Sequence, residues 1–422
     1  MRVLEIPSLK DLSQIMQEIK VDPYGIKIMV PKAISHLVRI NSVSNITANI
    51  LKQEMLSLGG DVAIARDALT GKVKKTDCLI MGNLAQFNRL SDKLNKQPFG
   101  LGKIAQEFSL TLKHYQRDNF TLNLGRYKLN LNRRTYIMGI VNLTPDSFSG
   151  DGLYKAQSSP AKQLNLRRDP ASYKIAWREK LKAQSYIIEF VEKMIRDGAD
   201  IIDLGGQSSR PGARSLSVKE ELLRTIPVIK VLVKKIKVPI SIDTHKPEVA
   251  RQALDNGAVI VNDISGLRNQ KMPKAIAKYK AGVVIMHMKG TPATMQKNPT
   301  YKSVIDEIIE YLNKAINIAI DAGIDKDRII VDPGIGFGKI LEHNLEILKR
   351  LKEFKVLGKP ILVGPSRKSF IGKILNVEPQ ERLFGTLSAC ALAVKNGAKL
   401  VRVHDVKEVS QALKVLERIE NI

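Results

Sequence analysis

Between Tyr136 and Asp405, eight short apolar segments each end in polar or charged side chains able to grip a ligand. Asn142 ends YIMGIVN and Asp146 follows it, and Ser208, Ser209 and Arg210 follow DIIDLGG. Asp243 closes PISID, and Asn262 and Asp263 close VIVND. His287 ends VVIMHM, Asp332 lies in IIVDPG, Ser366, Arg367 and Lys368 follow PILVG, and Arg402 and His404 lie in LVRVHD. Each has an ordinary structural alternative. Asp243 could cap the helix expected over Pro247–Asn256, and Asn262 could cap its own loop. Asp332 differs, because a carboxylate at the end of an Ile-Ile-Val run needs a partner if buried. A heterocycle edge offering two parallel N–H groups would suit it. Gly334, Gly336 and Gly338 let the chain pass close to a flat ring or a phosphate, or simply make a flexible loop. Arg402 and His404 stand two apart on one strand and so share a face. With the N-terminus of a helix starting near Lys407 they would form a phosphate site; the alternative for Arg402 is an internal ion pair. His287, between Met286 and Met288, reads as a satisfied core or rim histidine. No His, Cys, Asp or Glu cluster has metal-ligand spacing. Any metal is therefore expected to be Mg²⁺, held mainly by substrate phosphates and water.

These residues can converge only if the elements deliver them to one end. The apolar runs alternate with amphipathic helical stretches, among them Tyr186–Arg196, Val218–Lys235, Val304–Ala322, Asn344–Lys352, Arg382–Asn396 and Lys407–Ile419. Short strands alternating with helices predict a parallel sheet, and runs apolar throughout predict strands covered on both faces. Eight units, with no Gly-rich dinucleotide loop after the first, predict a (β/α)8 TIM barrel over 121–422 with its site at the C-terminal ends of the strands. Leu122–Arg134 reads as a hairpin closing the barrel floor. Residues 1–120 are expected to form a separate, smaller α/β domain. Its strands are expected at Gly25–Val30, Asp61–Ala65 and Asp77–Gly82, and its helices at Ile46–Ser57 and Gly102–Tyr115. The polar stretch between Gly152 and Tyr173 follows the first barrel strand and reads as a mobile lid or an idle insertion.

The chain has 422 residues and is 44% hydrophobic, with a formal net charge of +26. That length predicts more than one domain. No run of roughly 18 apolar residues occurs, so no membrane span is expected, and no secretory signal is seen. Two distant cysteines, Cys78 and Cys390, predict buried free thiols in a reducing compartment. A cytoplasmic protein is expected. The basic balance would suit nucleic acid, an anionic membrane or a phosphorylated small substrate. The lysines are dispersed and not interleaved with aromatics, so neither nucleic acid nor membrane is expected as a partner.

Taken in order, GIVNLTPDSFSGDG, GGQSSRPGA, SIDTHKPEVA, NDISG, VIMHMKGTP, DPGIGFGK, GPSRKSFIG and RVHDV resemble the dihydropteroate synthase family over residues 124–422. The resemblance implies a transferase of folate biosynthesis. It would join 6-hydroxymethyl-7,8-dihydropterin diphosphate to p-aminobenzoate, releasing pyrophosphate with Mg²⁺. A homodimer is expected apart from the resemblance, because symmetric dimers are the commonest soluble oligomers. The resemblance places Asp243, Asn262, Asp332 and Lys368 on the pterin, with Met286 and Phe337 lining its ring. Asn142, Arg402 and His404 would hold diphosphate and metal, Asn142 as the metal ligand. Ser209, Arg210, Pro211 and Ser369 would border the aminobenzoate, and Asp146 would help close the site. Asp146, Arg210 and Lys368 would be the residues nearest the chemistry. Two loops depart from the family pattern: Ser209 replaces a threonine, and the first loop, SFSGDGLY, shifts a glycine ahead of the long insertion. The rival readings are a pterin-dependent methyltransferase, which needs neither a diphosphate nor an aminobenzoate site, and a non-catalytic pterin-binding regulatory protein.

Overall fold

Polar residues gathered at one end of eight strands require those strands to be parallel and closed. The computed structural model, which describes residues 2, 4, 9–143, 185–208 and 214–420, arranges them so. The chain divides into two compact units, Met1–Lys113 and His114–Ile422. The division falls within the last helix of the first unit, a few residues before the boundary expected at 120.

The first unit runs α1 (Leu9–Glu18), α2 (Pro23–Ala33), β1 (Ser35–Ser44), α3 (Asn45–Ser57), β2 (Asp61–Ile64), α4 (Arg66–Leu69), β3 (Lys75–Asn83), α5 (Leu84–Leu94) and α6 (Leu101–Gln116). Its sheet has the order β1-β3-β2, both pairings antiparallel. Leu51, Met55, Phe87, Leu90 and Phe108 from the helices pack on Val62, Cys78 and Ile80 of the sheet. The strand expected at Gly25–Val30 is instead the middle of α2. Pro23 occupies a first-turn position and the Asp22 side chain accepts from the Tyr24 and Gly25 N–H groups. A capped start with proline in the first turn outweighs a short alternating run. Strand β1 escaped the sequence reading because a bulge between Ile40 and Val43 breaks its period of two, with Ser42 at φ +57°.

The second unit opens with a hairpin, β4 (Thr121–Leu124) and β5 (Tyr127–Asn130). The barrel strands follow: β6 (Tyr136–Asn142), β7 (Ile201–Gly205), β8 (Ile240–Asp243), β9 (Ile260–Asp263), β10 (Gly282–Met286), β11 (Ile329–Asp332), β12 (Ile361–Val363) and β13 (Ala398–Val403). They close in sequence order, β13 pairing with β6, and all are parallel. Around them run α7 (185–197), α8 (Val218–Lys235), α9 (Pro247–Asp255), α10 (Lys271–Lys278), α11 (Val304–Asp321), α12 (Leu341–Lys349), α13 (Ser369–Leu375), α14 (Leu383–Lys395) and α15 (Val406–Glu420). Outward residues such as Ile202, Leu204, Ile240 and Ile242 join the helices in the main core. Inward ones alternate with them. Ile201, Ile260, Val284, Ile330, Leu362 and Leu400 meet hairpin residues Leu122, Leu124 and Leu129 in a second core, so the hairpin closes the barrel floor.

Above that floor the period of two changes what points inward. The alternate strands β7, β9, β11 and β13 place Asp203, Asn262, Asp332 and Arg402 in the lumen, two residues beyond Ile201, Ile260, Ile330 and Leu400. Four side chains from alternate strands make one layer of such a barrel. Here that layer is entirely polar. Both cysteines are buried free thiols, and among the described residues no helix is long and apolar enough to cross a membrane.

Candidate functional site

The polar layer holds itself together. Asp203 Oδ2 accepts from Arg402 Nε at 2.7 Å and from Asn262 Nδ2 at 3.1 Å. Arg402 Nη2 donates to Asp243 Oδ2 at 2.7 Å. One guanidinium therefore serves two carboxylates, one of them fully buried. Asp203 was not singled out in the sequence. The period of two that paired Arg402 with His404 also places it inward, beside Ile201. Its second oxygen, Oδ1, and Ser241 Oγ, at the register-paired position on β8, are buried with no hydrogen-bond partner among the described residues.

Neither Asp243 nor Asn262 is a cap. Lys246, which precedes α9, makes no side-chain cap bond, and the turn after β9 is held by Asp263, which accepts from the backbone of Ser265 and Leu267. Asp243 and Asn262 are thus left to the lumen. Burial lifts the Asp243 carboxyl far above the usual carboxylate range; Arg402 opposes this, and the neighbouring Asp203 adds to it. Burial likewise pushes Asp332 up to about 6, against the Gly334 N–H and the charges of Lys368 and Lys339. Carboxylates held at such a cost are poised to accept from a ligand rich in N–H donors.

The loop after β11 forms one wall. Asp332 Oδ1 accepts from Gly334 N at 2.7 Å, and Gly336 N donates to Asn344 Oδ1 at 2.7 Å. Phe337 packs with Met286, Ile264, Met288 and Met295 in a small apolar cluster. Lys368 Nζ stands 4.0 Å from the Phe337 ring centroid, a cation over an aromatic face. Lys339, unremarked in the sequence although it ends DPGIGFGK, is buried. Its Nζ donates to Phe337 O at 2.9 Å and lies 3.0 Å from His287 Nδ1. Burial lowers Lys339 to about 7 and His287 to about 2. His287 also donates its backbone N–H to Asp332 O and meets the Tyr311 ring edge-on. It is a satisfied histidine at the barrel rim, tying the β10 end to the β11 loop.

Gly334 is where these two segments touch. Its φ is +71°, and a Cβ there would lie 2.0 Å from His287 O. Gly334→Ala should destabilise the fold by ~2–4 kcal/mol, since neither the backbone conformation nor the facing carbonyl can yield cheaply. Urea denaturation checks this, and ligand affinity at Asp332 should fall with it.

On the opposite side, Asn142 Nδ2 lies 3.4 Å from His404 Nε2, and His404 Nδ1 lies 3.0 Å from Ser366 Oγ. Ser369, at the first position of α13, is exposed. Arg402 sits between Asp203 and Asp243, so the internal ion pair allowed by the strand pattern is present. Asp146, Ser209, Arg210 and Pro211 lie outside the described residues, as does the stretch between Gly152 and Tyr173. Among the described residues no three His, Cys, Asp or Glu side chains converge to hold a metal ion.

A family described as pterin binding enzyme matches residues 164–404. A dihydropteroate synthase of Synechocystis is 43% identical over 300 residues, 71% of this chain and 94% of that protein. A probable bifunctional folylpolyglutamate synthase/dihydropteroate synthase of Halobacterium salinarum is 36% identical over 417 residues. That likeness covers 98% of this chain, first unit included, and 46% of the relative. Among solved structures, the Yersinia pestis dihydropteroate synthase in a sulfonamide drug complex superposes with a TM-score of 0.63 at 36% identity, covering 72% of this chain and 100% of that one.

Proposed function

The chain belongs to the dihydropteroate synthase family, and we infer from the layered site how it joins 6-hydroxymethyl-7,8-dihydropterin diphosphate to p-aminobenzoate, giving 7,8-dihydropteroate and pyrophosphate. The observation that carries this reading is the pair of carboxylates, the buried Asp332 and the largely covered Asp243, beside Asn262 at the mouth of a closed barrel. A pterin presents a row of ring and exocyclic N–H donors to such acceptors. Lys368 and the Met286–Phe337 wall would hold the ring face and its carbonyl. Asn142, His404 and Arg402 would face the diphosphate, Arg402 exchanging one carboxylate for a phosphate oxygen. Ser209, Arg210, Pro211 and Ser369 would border the aminobenzoate, and Asp146 would help close the site over both.

In the reaction the bond from the methylene carbon to diphosphate breaks, and the amine nitrogen forms the new bond and sheds a proton. The electron-rich ring spreads the positive charge left on the methylene. The residues therefore need to stabilise separated charge, with cations toward the leaving group and carboxylates toward the ring. The arylamine is neutral at pH 7 and needs no strong base. Water must be kept from the cationic carbon, which is the work assigned to the loops after β6 and β7.

The donor set fits Mg²⁺ that arrives on the diphosphate. Asn142 would add one amide oxygen, with phosphate and water completing the shell. Bound there, the metal would neutralise charge on the leaving group. The same reading makes the protein a cytoplasmic homodimer. Phe384 on α14 is 77% exposed, a surface that a second copy would cover, and symmetric dimers are the commonest soluble oligomers. Light scattering checks that state.

The deciding experiment measures pyrophosphate release with the pterin diphosphate and Mg²⁺, with and without p-aminobenzoate. Release that depends on p-aminobenzoate is expected. Binding of the pterin diphosphate without release would overturn the synthase reading.

A further inference from the structure

We propose that Lys339 is a positioning residue for pterin binding, which holds Phe337 in place by tying the loop after β11 back to the end of β10. The inference rests on the reading that Met286 and Phe337 line the ring. The stretch from Asp332 to Lys339 meets His287 at both of its ends. His287 donates its backbone N–H to Asp332 O at 2.9 Å, and Lys339 Nζ lies 3.0 Å from His287 Nδ1. Nζ also donates to Phe337 O at 2.9 Å and stands 3.5 Å from His287 O. His287 directly follows Met286. One amino group thus joins the carbonyl of one ring-lining residue to the chain neighbour of the other.

The glycine-rich sequence alone would leave Phe337 loosely placed. Gly336 at φ +83° and Gly338 at φ +63° flank it, and glycine loses more conformational freedom on ordering than any other residue. The carbonyls on either side have their own partners. Gln296 Nε2 donates to Gly336 O at 2.8 Å, and the Tyr301 hydroxyl donates to Gly338 O at 2.8 Å. Lys339 supplies the partner for the carbonyl between them, and does so from the interior. Burial lowers it to about 7, yet both protonation states can serve. An ammonium carries three N–H donors, and the neutral amine keeps two, enough for Phe337 O and His287 Nδ1 together. With Nζ engaged by these groups, Lys339 acts through Phe337 rather than on the ligand.

Calorimetry with the pterin diphosphate and Mg²⁺, in the full-length protein, tests this through a double-mutant cycle with Phe337→Ala. Lys339→Met keeps an unbranched side chain in place. It strands no ion-pair partner, because Phe337 O is neutral and burial keeps the His287 ring neutral. It should raise the Kd for pterin diphosphate about tenfold, within the range for coupled neighbours. The KM for p-aminobenzoate should stay within about threefold of wild type. In the Phe337→Ala background the same substitution should change Kd by less than about threefold, since the ring that Lys339 positions is gone. Lys339→Gln, one atom shorter and unable to span both partners, carries the cycle if Lys339→Met does not fold. A Kd for Lys339→Met within about threefold of wild type overturns the role of Lys339. So does a loss of about tenfold that persists undiminished without the Phe337 ring, which would show a general loosening of the fold. A wild type that binds no pterin diphosphate and releases no pyrophosphate would instead overturn the functional reading.

Discussion

Asp332→Asn is expected to abolish most activity while making the protein more stable. The asparagine keeps the acceptor for Gly334 N–H, so the strand end should hold its shape. What is lost is the charge that receives the pterin donors. Two charge-assisted hydrogen bonds at ~1.5–3 kcal/mol each imply a fall in kcat/KM of about 10³-fold. The stability gain follows from the same burial. Burial raises Asp332 from 3.8 to about 6, and so the ionised form costs the folded state ~3 kcal/mol. The folded state holds this proton more tightly than the unfolded chain does. The wild type therefore loses that stability as pH rises from about 4 to about 6, and the loss is complete above about 6. Denaturation curves should show variant and wild type nearly equal at pH 4, with the variant ahead by ~3 kcal/mol at pH 7.5. A variant no more stable than wild type at neutral pH would mean that ligand-free Asp332 is already compensated by its cations. In the wild type, pterin diphosphate binding should weaken as pH falls through about 6.

Most of the barrel could be read from the chain because each strand is an apolar run ending in a polar cluster, and those ends coincide in space. Arg402, His404, Asp243, Asn262 and Asp332 were legible as strand-end residues. Asp203 was not, because it lies inside its strand and its reason for being there is a guanidinium 199 residues away. Lys339 was hidden for a similar reason: a lysine after a glycine-rich loop looks solvated until His287 and Phe337 O appear beside it. In the first unit, GIKIMV has the alternation of a strand, and only its capping by Asp22 and Pro23 reveals a helix. Local periodicity thus recovered the scaffold, while the charge network needed the closed ring of strands.

Arg402→Met should have the largest effect on stability, and its suppression can separate the two roles open to Arg402. Removing the guanidinium leaves Asp203 and Asp243 buried without their cation. Breaking a buried ion pair from one side costs ~3–5 kcal/mol. Adding Asp203→Asn removes one stranded charge, and urea denaturation of the double variant should recover a large part of that loss. Activity then decides. If Arg402 serves only the internal pair, the double variant should regain the activity of Asp203→Asn alone along with its stability. If Arg402 also meets the diphosphate, stability returns but kcat/KM stays depressed by about 10²-fold or more, in line with loss of a charge-assisted contact of ~3 kcal/mol. The second outcome is expected. The same guanidinium bridges the carboxylates assigned to the pterin and stands two residues before His404 on one strand, so a ligand with a ring at one end and phosphates at the other would draw on both of its neighbours at once.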